Sequence, residues 1–328
     1  MKVSRELYDK FIQSSPQSSL YSSSWWLDIV TGGDWEVAAL VNNDGIKAAI
    51  PYTIQRFKGG VTAMLPIPLS LYNGVLLRPC EGKYATRLSE QIELMSALIE
   101  MLPNVDYVRL KLHHSLQNWQ PFFWKGFQQT TTYTYIIRDL SEESVWTGMR
   151  ENIRREIKKA QRQLAVCDNL GMDAFFNVYA ATFERQKMRV PYTLPFLKRL
   201  DEVCAQKGCK KLLFASDSQG NIHAAVYIVW DSHSAYYLMG GGDSELRTSG
   251  AHSLLMWEAI RHVSGFVEEF NFAGSMNQAI ERFFRGFGAQ QVPVIEVYKE
   301  NNKYRIFRTL SSFLHGYGLL RQLYRCLK

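Results

Sequence analysis

The stretch "MGGGDSELRTSGAHSLLMWEAIRHV", Met239–Val263, joins an apolar and aromatic run to a helical pattern through a loop rich in glycine and hydroxyl side chains. The glycines at 240–242 predict a backbone that adopts positive φ and approaches a ligand closely. Gly250 and Ala251 leave the predicted helix start without bulk, where free amides and the helix dipole favour an anion. The loop therefore predicts either a phosphate cradle or a plain strand–turn–helix connection with a serine cap.

Composition limits the class of protein. The chain has 328 residues, enough for one large domain or two of ordinary size, and 46% hydrophobic with 21% charged residues is typical of a globular protein. No run reaches the roughly 18 uncharged apolar residues that span a bilayer. The first fifteen residues carry charges where a signal peptide needs its apolar core, so we expect a cytoplasmic protein. The five cysteines are odd in number and scattered, which predicts reduced thiols with packing roles: Cys80, Cys167, Cys204, Cys209 and Cys326.

Positive charge is concentrated in two segments. Arg150–Arg162 holds six cations and two acids, and Lys303–Lys328 holds six cations and no acid. The net charge of the two segments together is +10, whereas the net charge of the whole chain is +7, so the remaining residues carry −3. This distribution argues against a uniformly basic DNA-binding protein. Apolar residues at helical spacing from Tyr304 onward predict a basic amphipathic tail that rests on an anionic membrane or on the first domain.

A short phrase occurs twice, which indicates a duplicated domain. "FFWKGFQQ" covers Phe122–Gln129 and "FFRGFGAQQ" covers Phe283–Gln291, and a strand-like run follows each. Both halves give strands, a helix, a strand, a short helix and a final strand, so the predicted class is α/β (α+β) with mixed β-sheets flanked by helices. The expected domains are residues 1–139 and 140–300, followed by the tail at 301–328.

Three helices are predicted between the boundary and the second sheet. In "WTGMRENIRREIKKAQRQLA" one apolar stripe is surrounded by cations; its members are Met149, Ile153, Ile157, Ala160 and Leu164. "MDAFFNVYAATFERQ" and "TLPFLKRLDEVCAQKG" follow it. The basic helix around Arg154 predicts either a surface for the phosphates of tRNA or of a nucleotide-linked substrate, or a solvated face.

The second half resembles a known fold in the order of its phrases "RENIRREIKKAQR", "YAATFERQ", "YYLMGGGD", "SGAHSLLMWEAI", "FNFAGS" and "ERFFRGFGA". They are similar to the GNAT (Gcn5-related) acyltransferase fold, and closest to its double-domain branch of FemABX-like and BioF2-like acetyltransferase-domain proteins. The resemblance implies two tandem GNAT-like (acyl-CoA N-acyltransferase) domains. It also implies an acyl-CoA in a cleft where the sheet splays, with the pyrophosphate on the amides of the helix start.

The phosphate signature of that family, Arg/Gln-x-x-Gly-x-Gly/Ala, is matched imperfectly. Arg247 and Gly250 fit, but His252 stands at the last position. Characterised FemABX members also have an imperfect loop, because they take the acyl group from aminoacyl-tRNA. The loop is thus expected to hold a CoA pyrophosphate or to be a relic of such a site. The expected donor-binding residues are Gly241, Arg247, Ser249, Gly250, Ala251 and His252.

Acceptor and catalytic residues are expected around the same cleft. Arg185 and Arg154 are predicted to meet acceptor phosphates, although an ion pair of Arg185 with Glu184 or Asp201 would explain it equally. Tyr236 and Tyr237 point to opposite faces of a strand, so one is expected in the core and the other in the cleft, with core packing of both as the alternative.

The catalytic candidates besides Tyr237 are Arg285, Asn271 and Ser275. Arg285 would stabilise charge on the acyl carbonyl, while Asn271 and Ser275 flank the strand end where acyl transfer occurs in this fold, with helix capping as the alternative for Ser275.

No catalytic triad, P-loop or metal-ligand spacing is visible, so no metal is expected and no general base can be named from the sequence. The predicted function is transfer of an acyl group from acetyl-CoA or another acyl-CoA to an amine, or a hydroxyl, of a sugar or cell-envelope precursor, as in polysaccharide biosynthesis. Two alternatives stay open. One is a FemABX-like aminoacyltransferase that uses aminoacyl-tRNA on a peptidoglycan precursor, and the other is a catalytically silent binding protein.

Overall fold

The computed structural model describes residues 3–314, with side chains up to residue 311. The described chain forms two compact units. One contains the residues up to Thr132 and those from Pro293 onward, and the other runs from Tyr133 to Val292. The domain boundaries expected from the sequence, near residues 139 and 300, stay a prediction.

Both units contain helices and strands. The elements up to residue 137 are α1 (Arg5–Ile12), α2 (Ser24–Thr31), β1 (Glu36–Asn42), β2 (Gly45–Tyr52), β3 (Gln55–Arg56), β4 (Thr62–Met64), β5 (Leu76–Leu77), α3 (Tyr84–Glu100), β6 (Tyr107–Lys111), α4 (Gln120–Trp124) and β7 (Gln128–Ile137). The remaining elements are α5 (Glu142–Gly148), α6 (Glu151–Gln161), β8 (Ala165–Cys167), α7 (Met172–Arg185), α8 (Leu194–Gln206), β9 (Lys210–Ser216), β10 (Ile222–Trp230), β11 (Ser234–Gly242), α9 (Ala251–Val263), β12 (Glu269–Asn271), α10 (Gln278–Gly286), β13 (Gln290–Glu300) and α11 (Asn302–Leu314).

The first unit contains two groups of strands. β1, β2 and β5 form an antiparallel sheet, and β3, β4, β6 and β13 follow one another in a mixed group in which β4 and β6 are parallel. α3 covers the core of this unit with Leu94, Met95, Leu98 and Ile99, all of which are buried. This apolar face explains why α3 forms and where it lies.

The second unit has the strand order β7-β12-β11-β10-β9-β8. β9, β10 and β11 form an antiparallel meander, and β11 pairs with β12 in parallel. Val226 and Ile228 belong to the core beneath α9, while the ring of the intervening Tyr227 meets Phe175 of α7. Because neighbouring strand residues point to opposite faces, α7 and α9 cover opposite faces of this sheet.

The predicted mixed α/β class is confirmed, and most predicted elements lie within a few residues of their observed bounds. The helix predicted from Trp146 to Ala165 is wrong as a single element. Met149 and Arg150 are extended, with ψ of 144° and 148°, so α5 and α6 are separate helices. The Arg150 amide donates to the carbonyl of Gly286 instead of continuing a helix. The apolar stripe is nevertheless buried along its whole length.

The two copies of the repeated phrase end their helices in the same way. α4 is followed by Gly126 with φ +79° and then by β7, and α10 is followed by Gly288 with φ +79° and then by β13. Both glycines occupy the left-handed position that ends a helix. The two phrases therefore encode the same helix-to-strand transition, and Gly288 rather than Gly286 corresponds to Gly126.

The described part of the tail is helix α11, which packs on the first unit. The ring of Tyr304 stacks on Tyr107 with 4.3 Å between centroids, and Phe307 meets Phe57 at 5.4 Å. The predicted continuation of the tail from residue 315 to 328, including Cys326, lies outside the described residues. The four other cysteines are free thiols.

The glycines at 240–242 do not adopt positive φ, so that prediction is wrong. They form the end of β11, and what they permit is a close approach of α7. A Cβ on Gly241 would lie 2.6 Å from the carbonyl oxygen of Val178 and 2.8 Å from Cα of Tyr179. Backbone therefore packs on backbone at this position.

No helix of residues 3–314 has both the length and the apolar character needed to cross a bilayer.

Gly241→Ala is expected to lower the free energy of unfolding by about 1–3 kcal/mol, because the new methyl group would overlap backbone atoms that cannot rotate away. Gly265→Ala is the matched control, since no heavy atom lies within 4 Å of its Cβ position. The control should stay within about 0.5 kcal/mol of the wild type. Urea denaturation measures both, and equal stability of the two variants would contradict the contact.

Candidate active site

β11 and β12 separate soon after they meet. They pair in parallel only over Ser234–Tyr236 and Glu269–Asn271. β11 continues to Gly242 along β10, with a bulge at Leu238 that stands opposite no residue of β10. Within the described residues, the β12 side of β11 has no strand partner from Tyr237 onward. The result is an opening in the sheet beside a bulge, a position where bulges often redirect side chains toward a site.

Asn271 shapes the turn that follows β12. Its side chain is fully buried, and its Oδ1 accepts from the hydroxyl of Thr134 and, at 2.9 Å, from the amide of Ala273. Ala273 has φ +59°, a left-handed conformation that costs energy for a residue with a side chain. The predicted catalytic Asn271 thus holds a strained turn at the end of the opening.

The start of α9 is covered by α6. Gly250 has φ +81°, and a Cβ there would lie 2.5 Å from the carbonyl oxygen of Glu156. The Glu156 carboxylate accepts a 2.6 Å hydrogen bond from Ser253 in the first turn of α9, and Lys159 donates to the carbonyl of Thr248 at 2.9 Å. A negative charge of the chain itself therefore lies at the helix start where the sequence predicts a phosphate.

Tyr237 and His252 form a hydrogen-bonded pair at the opening. The Tyr237 hydroxyl and His252 Nε2 are 3.1 Å apart, and the rings of Phe283 and Phe284 pack at their edges. Burial raises the pKa of Tyr237 and lowers the pKa of His252 to about 4. At neutral pH the pair is a neutral phenol on a neutral imidazole, and both side chains stay partly accessible.

The outward face of α6 is rich in cations. Glu156 is exposed and binds Ser253 of α9, and the other acid of the helix, Glu151, is exposed one turn before Arg155. Arg155, Lys158 and Arg162 are exposed and form no ion pair with any described residue. They repeat at intervals of three and four residues, which places them on one side of the helix.

Comparison with known proteins assigns the second unit. Residues 147–284 match the sequence model of the Acetyltransferase (GNAT) domain. This part of the chain is similar to a GNAT domain. The family is one of acyltransferases, and the resemblance read from the sequence is confirmed. A search of curated protein sequences found no match.

Solved structures show that the likeness extends over almost the whole chain. FemX superposes with a TM-score of 0.70 at 12% identity, covering 92% of this chain and 97% of FemX. The C-terminal domain of a putative lysylphosphatidylglycerol synthetase from Agrobacterium fabrum gives 0.57 at 11%, covering 94% and 96%. A tandem GNAT protein from the clavulanic acid biosynthesis pathway gives 0.51 at 10%, covering 90% and 93%. The expected fold of tandem GNAT type is therefore confirmed.

Two predicted arginines, Arg185 and Arg285, lie near the ends of helices in the second unit. Arg185 ends α7, one turn after Thr182, whose hydroxyl accepts from the Gly242 amide at 3.3 Å. Among the described residues, Arg185 forms an ion pair with neither Glu184 nor Asp201, and Asp201 binds Lys210 at 2.8 Å. Arg285 is half exposed and donates to Glu281 at 2.7 Å, and the ion pair lowers the pKa of Glu281.

Other predicted residues have structural partners. Tyr236 is 2% exposed, and its hydroxyl donates to Asp231. The side chain therefore has almost no exposed surface with which to contact a substrate. Arg154 donates at 3.3 Å to the carbonyls of Trp146 and Thr147 at the end of α5.

The remaining two predicted site residues, Ser275 and Arg247, lie near the starts of helices. Ser275 Oγ accepts from the Asn277 amide just before α10, but the residue that caps this helix is Asn277, whose side chain accepts from the amides of Ala279 and Ile280. Arg247 is exposed in the turn before α9.

Sequence reasoning missed two groupings. It counted Glu156 only as one of the two acids within Arg150–Arg162, whereas Ser253, which lies 97 residues later, binds it. It named Tyr237 and His252 for different tasks, and no local pattern joins residues on a strand and on the following helix.

In the described part of the chain, His, Cys, Asp and Glu side chains do not gather in groups of three that could hold a metal ion.

The His252 environment predicts a pH effect on stability. As the pH falls, the unfolded chain takes up a proton near the ordinary pKa of 6.5, whereas the folded protein does so only near 4. Stability is therefore lost between about pH 6.5 and pH 4, by at most about 3 kcal/mol from this group. His252→Asn should show a smaller loss than the wild type in urea denaturation at both pH values.

His233→Asn is the control, because His233 is exposed beside Glu268. It should keep the wild-type pH dependence. A His252→Asn protein whose stability falls as steeply as the wild type would show that His252 is freely protonated in the folded state.

Proposed function

We propose that the GNAT domain transfers an aminoacyl group from aminoacyl-tRNA to an amine or hydroxyl of a sugar-containing or peptide-containing cell-envelope precursor. This is the second of the two donors that the sequence leaves open. The observation that carries the choice is the closed start of α9.

A CoA pyrophosphate would have to share the start of α9 with Glu156. The helix start is in contact with the α6 backbone at Gly250, and the Glu156 carboxylate is already bound to Ser253 in the first turn. Bringing two further negative charges close to a carboxylate costs about 1–4 kcal/mol per pair at 4 Å, depending on solvent exposure. A donor bound mainly through a separate basic surface avoids this repulsion.

The outward face of α6 offers such a surface. Three exposed cations without described ion-pair partners suit the regularly spaced phosphates of an RNA strand. The end of α7 adds a second basic edge, where Arg185, Lys187 and Arg189 are exposed next to the end of β11. The likeness of the fold to FemX and to a lysylphosphatidylglycerol synthetase domain agrees with this proposal.

Tyr237 and His252 supply the proton donor in the proposed reaction. The acceptor nitrogen attacks the ester carbonyl of the donor, the new C–N bond forms, and the bond to the ribose oxygen breaks. With its proton on Nε2, neutral His252 donates to the phenol oxygen of Tyr237, which leaves the phenol hydrogen free to bond the departing ribose oxygen. The raised pKa keeps the phenol protonated, and the proton released by the attacking amine balances the one taken by the ribose oxygen.

A second candidate is N-acetyl transfer from acetyl-CoA. The matched family is the acetyltransferase domain family, and the unpaired edge of β11 from Tyr237 to Gly242 could accept the extended arm of a thioester. This candidate requires the pyrophosphate to bind away from the start of α9.

The two donors can be separated by thermal stabilisation of the wild-type protein. A ligand present at 100 times its dissociation constant adds about 2.7 kcal/mol to stability. We expect stabilisation by aminoacyl-tRNA and none by acetyl-CoA or free CoA. Stabilisation by acetyl-CoA alone would favour the second candidate, and stabilisation by neither donor but by a nucleotide-linked amino sugar would favour a silent binding protein.

Arg155→Ala, Lys158→Ala and Arg162→Ala combined should weaken tRNA binding and reduce its dependence on salt, because three phosphate contacts are removed. The matched control removes the exposed cations Lys83 and Arg87 of the first unit. Filter binding over a salt series measures both proteins. Equal slopes for the triple variant and the control would exclude α6 as the tRNA surface.

Tyr237→Phe should lower kcat by about 100-fold and leave KM for the donor nearly unchanged, since the lost proton donor acts in the transition state. Tyr236→Phe is the control, because its hydroxyl bonds only within the fold and kcat should stay near the wild-type value. Single-turnover assays give the rates. A Tyr237→Phe protein with wild-type kcat would remove the phenol from the mechanism.

A further inference from the structure

Helix α11 carries apolar side chains on two faces. Tyr304 and Phe307 pack against Tyr107 and Phe57 and hold the helix on the first unit. Ile306 and Leu310 lie one turn apart on another face, and they are 60% and 55% exposed. A large apolar side chain at that exposure leaves most of its surface in water, and here two such side chains form one stripe.

Ion pairs fix the helix in its place. Lys303 donates to Asp106 at 3.1 Å, and Arg305 and Arg308 reach Glu300 at 3.5 Å and 3.0 Å. Together with the docked aromatic rings, these contacts set the orientation of α11, so the stripe of Ile306 and Leu310 is presented by a helix held in position.

The sequence from residue 303 onward carries charge of one sign, and Asp106 and Glu300 compensate part of it. Lys303–Lys328 carries six cations and no acid, and 14 residues of sequence follow α11 with three of those cations, Arg321, Arg325 and Lys328. An apolar stripe flanked by cations is the composition of helices that lie in the interface of an anionic bilayer. Two copies of such a segment would repel each other, so the charge disfavours a second copy of this chain as the occupant.

We propose that α11 is the membrane contact of this protein, with Ile306 and Leu310 inserted between the headgroups of an anionic lipid surface. Tyr304 and Phe307 keep the helix on the first unit, so the protein is held at the surface in a defined orientation. The inference does not depend on the identity of the acyl donor, and a donor test that fails leaves it unaffected.

Flotation of the full chain with vesicles tests the contact. Wild-type protein should float with vesicles of phosphatidylcholine mixed with phosphatidylglycerol, and it should remain unbound with phosphatidylcholine alone or at high salt. Ile306→Ser with Leu310→Ser should lower the partition coefficient for the anionic vesicles by about tenfold or more, because two side chains lose the gain from leaving water. Both positions are exposed, so the variant should keep the wild-type thermal stability.

Phe123→Ser is the matched control, since Phe123 is 61% exposed elsewhere in the same unit. It should bind vesicles as the wild type does. Equal binding of the double variant and the wild type would overturn the proposal, and so would equal loss of binding in the control. Sedimentation of the wild type and the double variant measures their oligomeric states. A double variant that changes oligomeric state but not vesicle binding would assign the stripe to self-association.

Discussion

The contact between Gly250 and the backbone of Glu156 is the constraint on which the second unit depends. Gly250 can take φ +81° and admit a carbonyl oxygen at 2.5 Å from its Cβ position only because it has no side chain. That approach lays α6 across the start of α9. α9 in turn carries much of the apolar core over the sheet. The absence of a side chain at Gly250 therefore allows both helices to take these positions.

The same contact separates the charges of α6. Glu156 binds Ser253, where it compensates the positive end of the α9 dipole. The cations of α6 are left on the outside, where water and a polyanion can reach them. On one side of α6, Glu156 therefore compensates the start of α9, and on the other side Arg155, Lys158 and Arg162 form a basic surface. The proposed function rests on this arrangement, in which Glu156 disfavours a phosphate at the start of α9 and the cations of α6 would bind a negatively charged donor.

The opening between β11 and β12 also depends on a single residue, Asn271. β12 stops after three paired residues because Asn271 turns the chain through the strained Ala273, and β11 continues past it. Tyr237 and His252 meet beside that opening, and their burial keeps both neutral near pH 7. A phenol that cannot easily ionise, supported by an imidazole that cannot easily protonate, is suited to donate a hydrogen bond rather than to abstract a proton.

The sequence alone determined the order of elements, the α/β class, the buried stripe of α6 and the resemblance to GNAT proteins, since helix and strand periodicity and turn residues act over a few neighbours. It failed at Met149–Arg150, where a bond to Gly286 breaks the helix, and at the glycines of 240–242, which serve the approach of α7 rather than a bend. Only the tertiary structure decided that Glu156 binds Ser253 and that Tyr237 meets His252. Such pairings depend on how helices lie on the sheet, and that is set by contacts between residues far apart in the chain, which leave no local pattern to read.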